Sequence, residues 1–176
     1  MKRKGLIEVY TGEGKGKTTS AIGLACRARG HGQKVCYISF HKPVHHAKSG
    51  ELLVMKKIGV DLYSFAEKSL CFSKDIDPLE ERKECLKGVR FIQELFKHKI
   101  YNVLILDEII VSLRRGFLEE REILDLLDAK PEKMELVLTG RGCPENIIKK
   151  ADLVSEVMKV KHPYDKGIEK RKGIEY

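Results

Sequence analysis

Short apolar runs alternate along the chain with longer stretches of helical period. Strands are predicted at Leu6–Tyr10, Val35–Phe40, Val60–Phe65, Val103–Leu106, Leu136–Leu138 and Leu153–Val157. Between them the pattern predicts helices at Thr18–Arg29, Gly50–Ile58, Pro78–His98, Glu119–Asp128 and Pro144–Lys150. Asp77 ahead of Pro78, with Glu80 and Glu81 behind, is a helix start: a capping side chain, proline at the first helical position, acids in the first turn. A run such as Val103-Leu-Ile-Leu106 has no polar face, so it must be covered on both sides. Strands of that kind belong to a parallel sheet with helices on both faces. The chain therefore reads as a single α/β domain over residues 1–176, with no internal repeat and no low-complexity linker. Residues 159–176 carry no period and read either as a polar tail or as a segment that closes over a site.

Composition narrows the class. With 176 residues, 42% hydrophobic and 34% charged, the chain can bury one core and is not of the disordered type. No apolar run approaches the ~18 residues of a membrane span, and no signal peptide opens the chain, so a soluble cytoplasmic protein is expected. Lys and Arg total 34 against 26 Asp and Glu, a net +8 that attracts anions such as nucleic acid, nucleotides or acidic metabolites. The densest basic stretch is Lys159 to Lys172; most of the other basic residues fit solvated helix faces. Five scattered cysteines (Cys26, Cys36, Cys71, Cys85, Cys143) contain no C-x-x-C, which excludes a zinc knuckle or disulfide framework and fits a reducing compartment. His41, His45 and His46 cluster after a predicted strand without an evident fourth ligand, so they read as anion contacts or surface groups rather than a metal centre.

The strongest chemical signal is Tyr10-Thr-Gly-Glu-Gly-Lys-Gly-Lys-Thr-Thr19, which follows the first strand and opens the first helix. A glycine-rich turn brings backbone N–H groups to phosphate oxygens, and the helix N-terminus adds the positive end of its dipole. Lys17 supplies a point charge for the terminal phosphates and the Thr18 hydroxyl a ligand for Mg²⁺. The ordinary phosphate-loop pattern has glycine where this chain has Thr11, and the dinucleotide fingerprint fails because Lys17 fills the place of its third glycine. Asp107 and Glu108 stand at the carboxyl end of a buried strand, the edge where open α/β sheets bind ligands. Asp107 suits the water shell of Mg²⁺, and Glu108 suits the metal itself or a polar clamp. Leu138-Thr-Gly-Arg-Gly-Cys-Pro144 is a further strand-end turn that would aim Arg141 into the same cleft. Lys159-Val-Lys-His-Pro-Tyr-Asp-Lys-Gly-Ile168 by itself reads as a basic surface loop.

Together these stretches closely resemble the ATP:corrinoid adenosyltransferases of the cobalamin pathway. The likeness is carried in order by Thr11–Thr19, Ala28-Arg-Gly-His-Gly32, Leu106-Asp-Glu108, Thr139-Gly-Arg-Gly-Cys143, Ala151-Asp-Leu-Val-Ser-Glu156, Val160-Lys-His-Pro-Tyr-Asp165 and Gly173-Ile-Glu-Tyr176. The resemblance implies a RecA-like phosphate-loop fold and transfer of the 5′-deoxyadenosyl group of ATP to the cobalt(I) of a corrinoid, with inorganic triphosphate released. Lys17, Glu108 and Arg141 are the implied catalytic residues. The implied ATP contacts are Gly12, Glu13, Gly14, Lys15, Gly16, Lys17, Thr18, Thr19, Arg27 and Arg141. Thr18, Asp107 and Glu108 are the implied Mg²⁺ ligands. Leu70, Phe72, His162 and Tyr164 are the implied corrinoid contacts. A cobalt-reducing flavoprotein or equivalent, and a homodimer, are the implied partners; nucleic acid and membrane are not.

Three features depart from the family pattern. Glu13 stands where asparagine is common, placing an acid beside the polyphosphate, which should weaken binding unless it faces the ribose or base. Leu70-Cys-Phe72 replaces a Phe-x-Trp pair that displaces the corrinoid's lower ligand, and the chain has no tryptophan. Longer relatives begin with an arm over the partner subunit's site, and that arm is expected to be missing here. Two other classes compete. A phosphate-loop ATPase or kinase of another branch would release ADP and phosphate. A basic nucleic-acid-binding module would need a recognition helix or stacking aromatics that the sequence lacks.

Overall fold

The computed structural model describes residues 4–44, 49–67 and 77–175. Six strands, β1 (Ile7–Thr11), β2 (Val35–Phe40), β3 (Asp61–Phe65), β4 (Val103–Asp107), β5 (Glu135–Thr139) and β6 (Leu153–Glu156), form one sheet in the order β3-β2-β4-β5-β1-β6. Every pairing is parallel. The helices are α1 (Lys17–Gly30), α2 (Gly50–Lys57), α3 (Pro78–His98), α4 (Ile109–Arg114), α5 (Glu120–Asp128) and α6 (Glu145–Lys150), with a 3-10 turn at Pro163–Lys166. The expected α/β architecture holds, and the predicted elements fall within a residue or so of the observed ones.

Alternation along the strands sorts the core into two layers. Val35, Tyr37, Val103, Ile105 and Val137 pack with Ala21, Ala25 and Ala28 of α1 and Leu52 and Met55 of α2. Their neighbours Cys36, Ile38, Phe40, Leu104, Leu106, Leu136 and Leu138 pack on the other face. There they meet Val89 and Ile92 of α3, Ile109 and Ile110 of α4, Ile123 and Leu126 of α5, and Ile147 of α6. The small residues of α1 let that helix lie close against the middle of the sheet, and its first turn then reaches the carboxyl ends of β1 and β4. The α3 start is as expected: the Asp77 carboxylate accepts from the Leu79 N–H at 3.0 Å.

One helix was not foreseen. Ile109–Arg114 follows the Asp107-Glu108 pair directly, with no glycine or proline and no side-chain cap ahead of it, so the pattern does not announce a separate helix. Glu108 makes the turn by itself, in the left-handed region at φ 63°. Among the described residues, no helix is long and apolar enough to cross a membrane.

Candidate functional site

The loop between β1 and α1 is held from behind by the chain that leaves β6. The Gly14 N–H donates to the Val157 carbonyl at 2.7 Å, and the Val157 N–H donates to the Thr11 carbonyl at 2.9 Å. A Cβ on Gly12, which lies at φ 97°, would come within 2.5 Å of the Val157 carbonyl oxygen, and one on Gly14 within 2.6 Å of that of Met158. Both glycines are therefore fixed by backbone packed against backbone. Lys17 is buried at the mouth of α1, and its Nζ donates to the carbonyls of Gly12 (2.6 Å) and Gly14 (2.7 Å). Burial, helped by the nearby Arg141, lowers the Lys17 pKa from its ordinary value.

The strand ends of β2, β4 and β5 build the second half of the site around Asp107, which is 0% exposed. Thr139 donates to its Oδ1 at 2.7 Å and Thr18 at 2.9 Å. Oδ2 accepts from the Tyr37 hydroxyl at 2.8 Å and from Lys42 Nζ at 3.2 Å. Burial alone would raise the Asp107 pKa, but Lys42 and the three hydroxyls outweigh it and hold the carboxyl below its usual value. Tyr37 is pushed the other way, first by burial and then by the carboxylate it donates to. Glu108 is half-buried, its N–H donates to Thr139 Oγ1 at 3.0 Å, and its Oε1 lies 2.8 Å from Lys42 Nζ. Burial would lower the Lys42 pKa, yet Asp107 and Glu108 raise it above the ordinary lysine value.

Glu13 does not face the loop as a bare acid. Its Oε1 accepts from Arg114 at 3.0 Å and its Oε2 from Arg141 at 2.9 Å, so two guanidinium groups from α4 and the β5 turn sit at the loop's rim. The two arginines outweigh desolvation and hold the Glu13 carboxyl below its usual value. Lys15, at the loop's outer edge, reaches the end of the chain, donating to the Ile174 carbonyl at 3.3 Å and to Glu175 Oε1 at 3.0 Å. The last residues thus contact the phosphate loop, which fits the closing-segment alternative for 159–176.

The structure brings Gly12, Glu13, Gly14, Lys15, Gly16, Lys17, Thr18, Asp107, Glu108 and Arg141 to one sheet edge; Thr19 is exposed on the first turn of α1. Arg27 is exposed on the same helix, ten residues beyond Lys17, about 15 Å along the axis at 1.5 Å per residue. His162 caps its own 3-10 turn by accepting from the Tyr164 N–H at 3.2 Å, and the Tyr164 ring is exposed. Leu70, Cys71 and Phe72, like His45 and His46, lie outside the described residues.

His41 corrects the sequence reading: it is neither a surface group nor an anion contact. It is buried, with Nδ1 2.9 Å from Glu81 Oε1 and Nε2 2.8 Å from Ser112 Oγ. Burial, opposed by Glu81, lowers its pKa. Glu81, read from the sequence only as an acid of the first turn of α3, is the buried partner.

Four site residues escaped the sequence reading: Tyr37, Lys42, Arg114 and Thr139. Lys42 and Thr139 follow or end predicted strands on the ligand-binding edge, so their position was a usable signal. Tyr37 looked like core, and Arg114 sits on the unforeseen helix.

The oxygen donors of Thr18, Asp107 and Glu108 suit a hard cation. Among the described residues no group of three or more His, Cys, Asp or Glu could hold a metal. The donor set has the chemistry that Mg²⁺ takes when one or two carboxylates are joined by phosphate oxygens and water. Ser39 Oγ fits the same picture. It is buried with no partner, and the β2–β4 register puts Ser39 directly beside Asp107, leaving an acceptor for a cation's water.

Comparison with known proteins gives a consistent result. The profile of the family described as ATP:corrinoid adenosyltransferase BtuR/CobO/CobP matches residues 3–176. A corrinoid adenosyltransferase of Escherichia coli strain K12 is 33% identical over 174 residues, covering 98% of this chain and 86% of that protein. Corrinoid adenosyltransferase CobA of Salmonella typhimurium is 32% identical over 177 residues, 100% of this chain and 88% of that one. A corrinoid adenosyltransferase of Pseudomonas aeruginosa is 30% identical, covering 98% and 84%.

Proposed function

The chain belongs to the ATP:corrinoid adenosyltransferase family, and we propose that its cleft holds ATP as a magnesium complex while a cobalt(I) corrinoid attacks the 5′ carbon of the ribose. It is an adenosyltransferase acting between ATP and a corrinoid. In the proposed step a cobalt–carbon bond forms from the cobalt(I) electron pair, the bond from C5′ to the phosphate oxygen breaks, and inorganic triphosphate leaves. Cobalt is the nucleophile and no proton moves, so no side chain needs to act as nucleophile or base. The protein's contribution is position and charge.

The observation that carries the reading is the corner where the α1 mouth meets β4. The Thr18 hydroxyl lies 2.9 Å from the buried Asp107 carboxylate, and Thr18 directly follows the lysine of a glycine-rich loop. Lys17, Lys15 and the loop N–H groups bind and orient the triphosphate, and Arg141 meets the negative charge that grows on it as the bond to C5′ breaks. Thr18, Asp107 and Glu108 would hold Mg²⁺, which supplies further neutralisation of that leaving group. Arg27 is assigned to the nucleotide, and Leu70, Phe72, His162 and Tyr164 to the corrinoid, on family position alone. A homodimer, a cobalt-reducing flavoprotein or equivalent, and a cytoplasmic setting are proposed on the same ground.

Product analysis tests the reading. Chemically reduced cobalamin, ATP and Mg²⁺ should yield a light-sensitive adenosylated corrinoid and inorganic triphosphate in equal amounts. ADP and phosphate without adenosylated product would transfer the chain to the ATPase or kinase class. Running an incomplete corrinoid beside cobalamin identifies the preferred acceptor.

A further inference from the structure

Lys42 has no part in the scheme above, yet it occupies its centre. Its Nζ lies 2.8 Å from Glu108 Oε1, 3.2 Å from Asp107 Oδ2 and 3.5 Å from Thr18 Oγ1. Those three groups are the ones assigned to magnesium. We propose that Lys42 is a resident cation of the metal site: its ammonium neutralises Asp107 and Glu108 until a divalent ion arrives together with a polyphosphate, and then moves to the phosphate oxygens. The inference rests on the magnesium–ATP reading of the cleft and adds an order to it, with metal entry coupled to nucleotide.

The geometry separates a fixed root from a free tip. His41, directly before Lys42, is anchored on three sides, by Glu81 of α3, by Ser112 of α4 and through its N–H to the Phe65 carbonyl of β3 at 3.1 Å. Phe117 packs on the imidazole at 5.7 Å between ring centroids. The Lys42 side chain beyond that root is 47% exposed, so its flexible stem can swing without disturbing the core. Lys17 cannot take its place, because its ammonium is turned into the carbonyls of Gly12 and Gly14.

Charge makes the two occupants exclusive. An ammonium and a divalent ion cannot share the same two carboxylates at about 3 Å without strong repulsion. A bare ion entering must displace an ion pair that already satisfies a fully buried carboxylate. A metal–polyphosphate brings its own anions, and these give the departing ammonium a new partner. Lys42 thereby becomes a triphosphate contact only once metal is present.

Mn²⁺ is the probe, followed by loss of its free-ion electron paramagnetic resonance signal, with no corrinoid and no turnover. Wild-type protein should take up Mn²⁺ weakly alone and strongly when ATP is added. Lys42→Met, which keeps the apolar stem, should bind Mn²⁺ without nucleotide about tenfold or more tightly than wild type. Adding Glu108→Gln to that variant should abolish the gain. Lys42→Met should also melt at lower temperature than wild type and regain the difference in millimolar Mg²⁺, while the wild-type midpoint stays unmoved. Equal nucleotide-free affinities in wild type and Lys42→Met, beside normal ATP-dependent uptake, would overturn the role of Lys42 and leave the magnesium site standing. Failure of ATP to bring Mn²⁺ onto the wild type would overturn both. A Lys42→Met chain that is unfolded and not restored by Mg²⁺ would likewise refute the proposal.

Discussion

Asp107→Asn isolates the charge at the centre of the cleft with almost no change of volume. The carboxylate is fully buried and accepts from three hydroxyls and one ammonium, at 2.7, 2.9, 2.8 and 3.2 Å. Hydrogen bonds to a charged group contribute about 1.5–3 kcal/mol each, though not additively. An asparagine oxygen can still take Thr139 and Thr18, and its NH₂ can donate to the Tyr37 hydroxyl turned to accept, but it faces the Lys42 ammonium, which is a donor only. One of the four contacts is turned into repulsion and the other three lose their charge assistance, so Asp107→Asn should lower stability by about 2–4 kcal/mol. Asp107→Ala should cost at least as much, because the buried hydroxyls of Tyr37 and Thr139 lose their acceptor. Urea titrations in metal-free buffer measure both. The pH profile supplies the sign. A folded pKa below the ordinary aspartate value of about 3.9 means stabilisation that is complete above that pH and lost as the pH falls through the folded pKa. Wild type should therefore lose stability in that acid range more steeply than Asp107→Asn. An asparagine variant within about 0.5 kcal/mol of wild type, with the same acid slope, would refute the account of Asp107 as a charged hub.

Other perturbations follow from the same contacts. Glu13→Gln frees Arg114 and Arg141 and removes an acid from the loop's rim, so inorganic triphosphate should bind about fivefold more tightly, and more so at low salt, by calorimetry; unchanged affinity would detach the arginine pair from the phosphates. Lys17→Ala should abolish ATP binding and lower the melting temperature modestly, because two loop carbonyls lose their donor; near-native turnover would sink the phosphate-loop assignment. Gly14→Ala puts a methyl group against the Met158 carbonyl and should cost about 1–3 kcal/mol as well as weakening triphosphate; a neutral result would mean that the chain after β6 does not brace the loop. Phe72→Ala should slow adenosylation from cobalt(II) with an enzymatic reductant far more than from chemically generated cobalt(I); equal losses would make Phe72 a packing residue.

The fold was legible because its strands are so apolar. A run like Val103-Leu-Ile-Leu106 has one stable environment, the middle of a parallel sheet, and the helical stretches between the strands supply the cover. The same logic hid α4: Ile109 and Ile110 are as apolar as the strand before them, and the left-handed turn at Glu108 is made by a residue with no turn preference. The chemistry was legible where a backbone demand leaves a mark, as glycines do at the phosphate loop. It was not legible where a side chain acts by where its strand ends. Tyr37 has the composition of core and is paired in register with Ile105, yet its hydroxyl reaches the Asp107 carboxylate two residues further along β4.

The charges in the cleft follow one rule that no single motif states. Glu13 is matched by Arg114 and Arg141, Asp107 and Glu108 by Lys42, Lys17 by two carbonyls, and Lys15 by Glu175. Lys17 is matched within its own loop; every other pair joins residues from different elements and is set by topology rather than by local sequence. The proposed magnesium triphosphate carries both signs, and it would exchange with such a site partner for partner: phosphate oxygens for the carbonyls, Glu13 and Glu175, the divalent ion for Lys42. Exchange of this kind keeps every buried charge compensated at both ends of the binding step, which a site of bare lysines and arginines would not do. It also favours a ligand of mixed charge over a plain polyanion. On this argument the net +8 gathers anions toward the protein, whereas the paired charges in the cleft select among them.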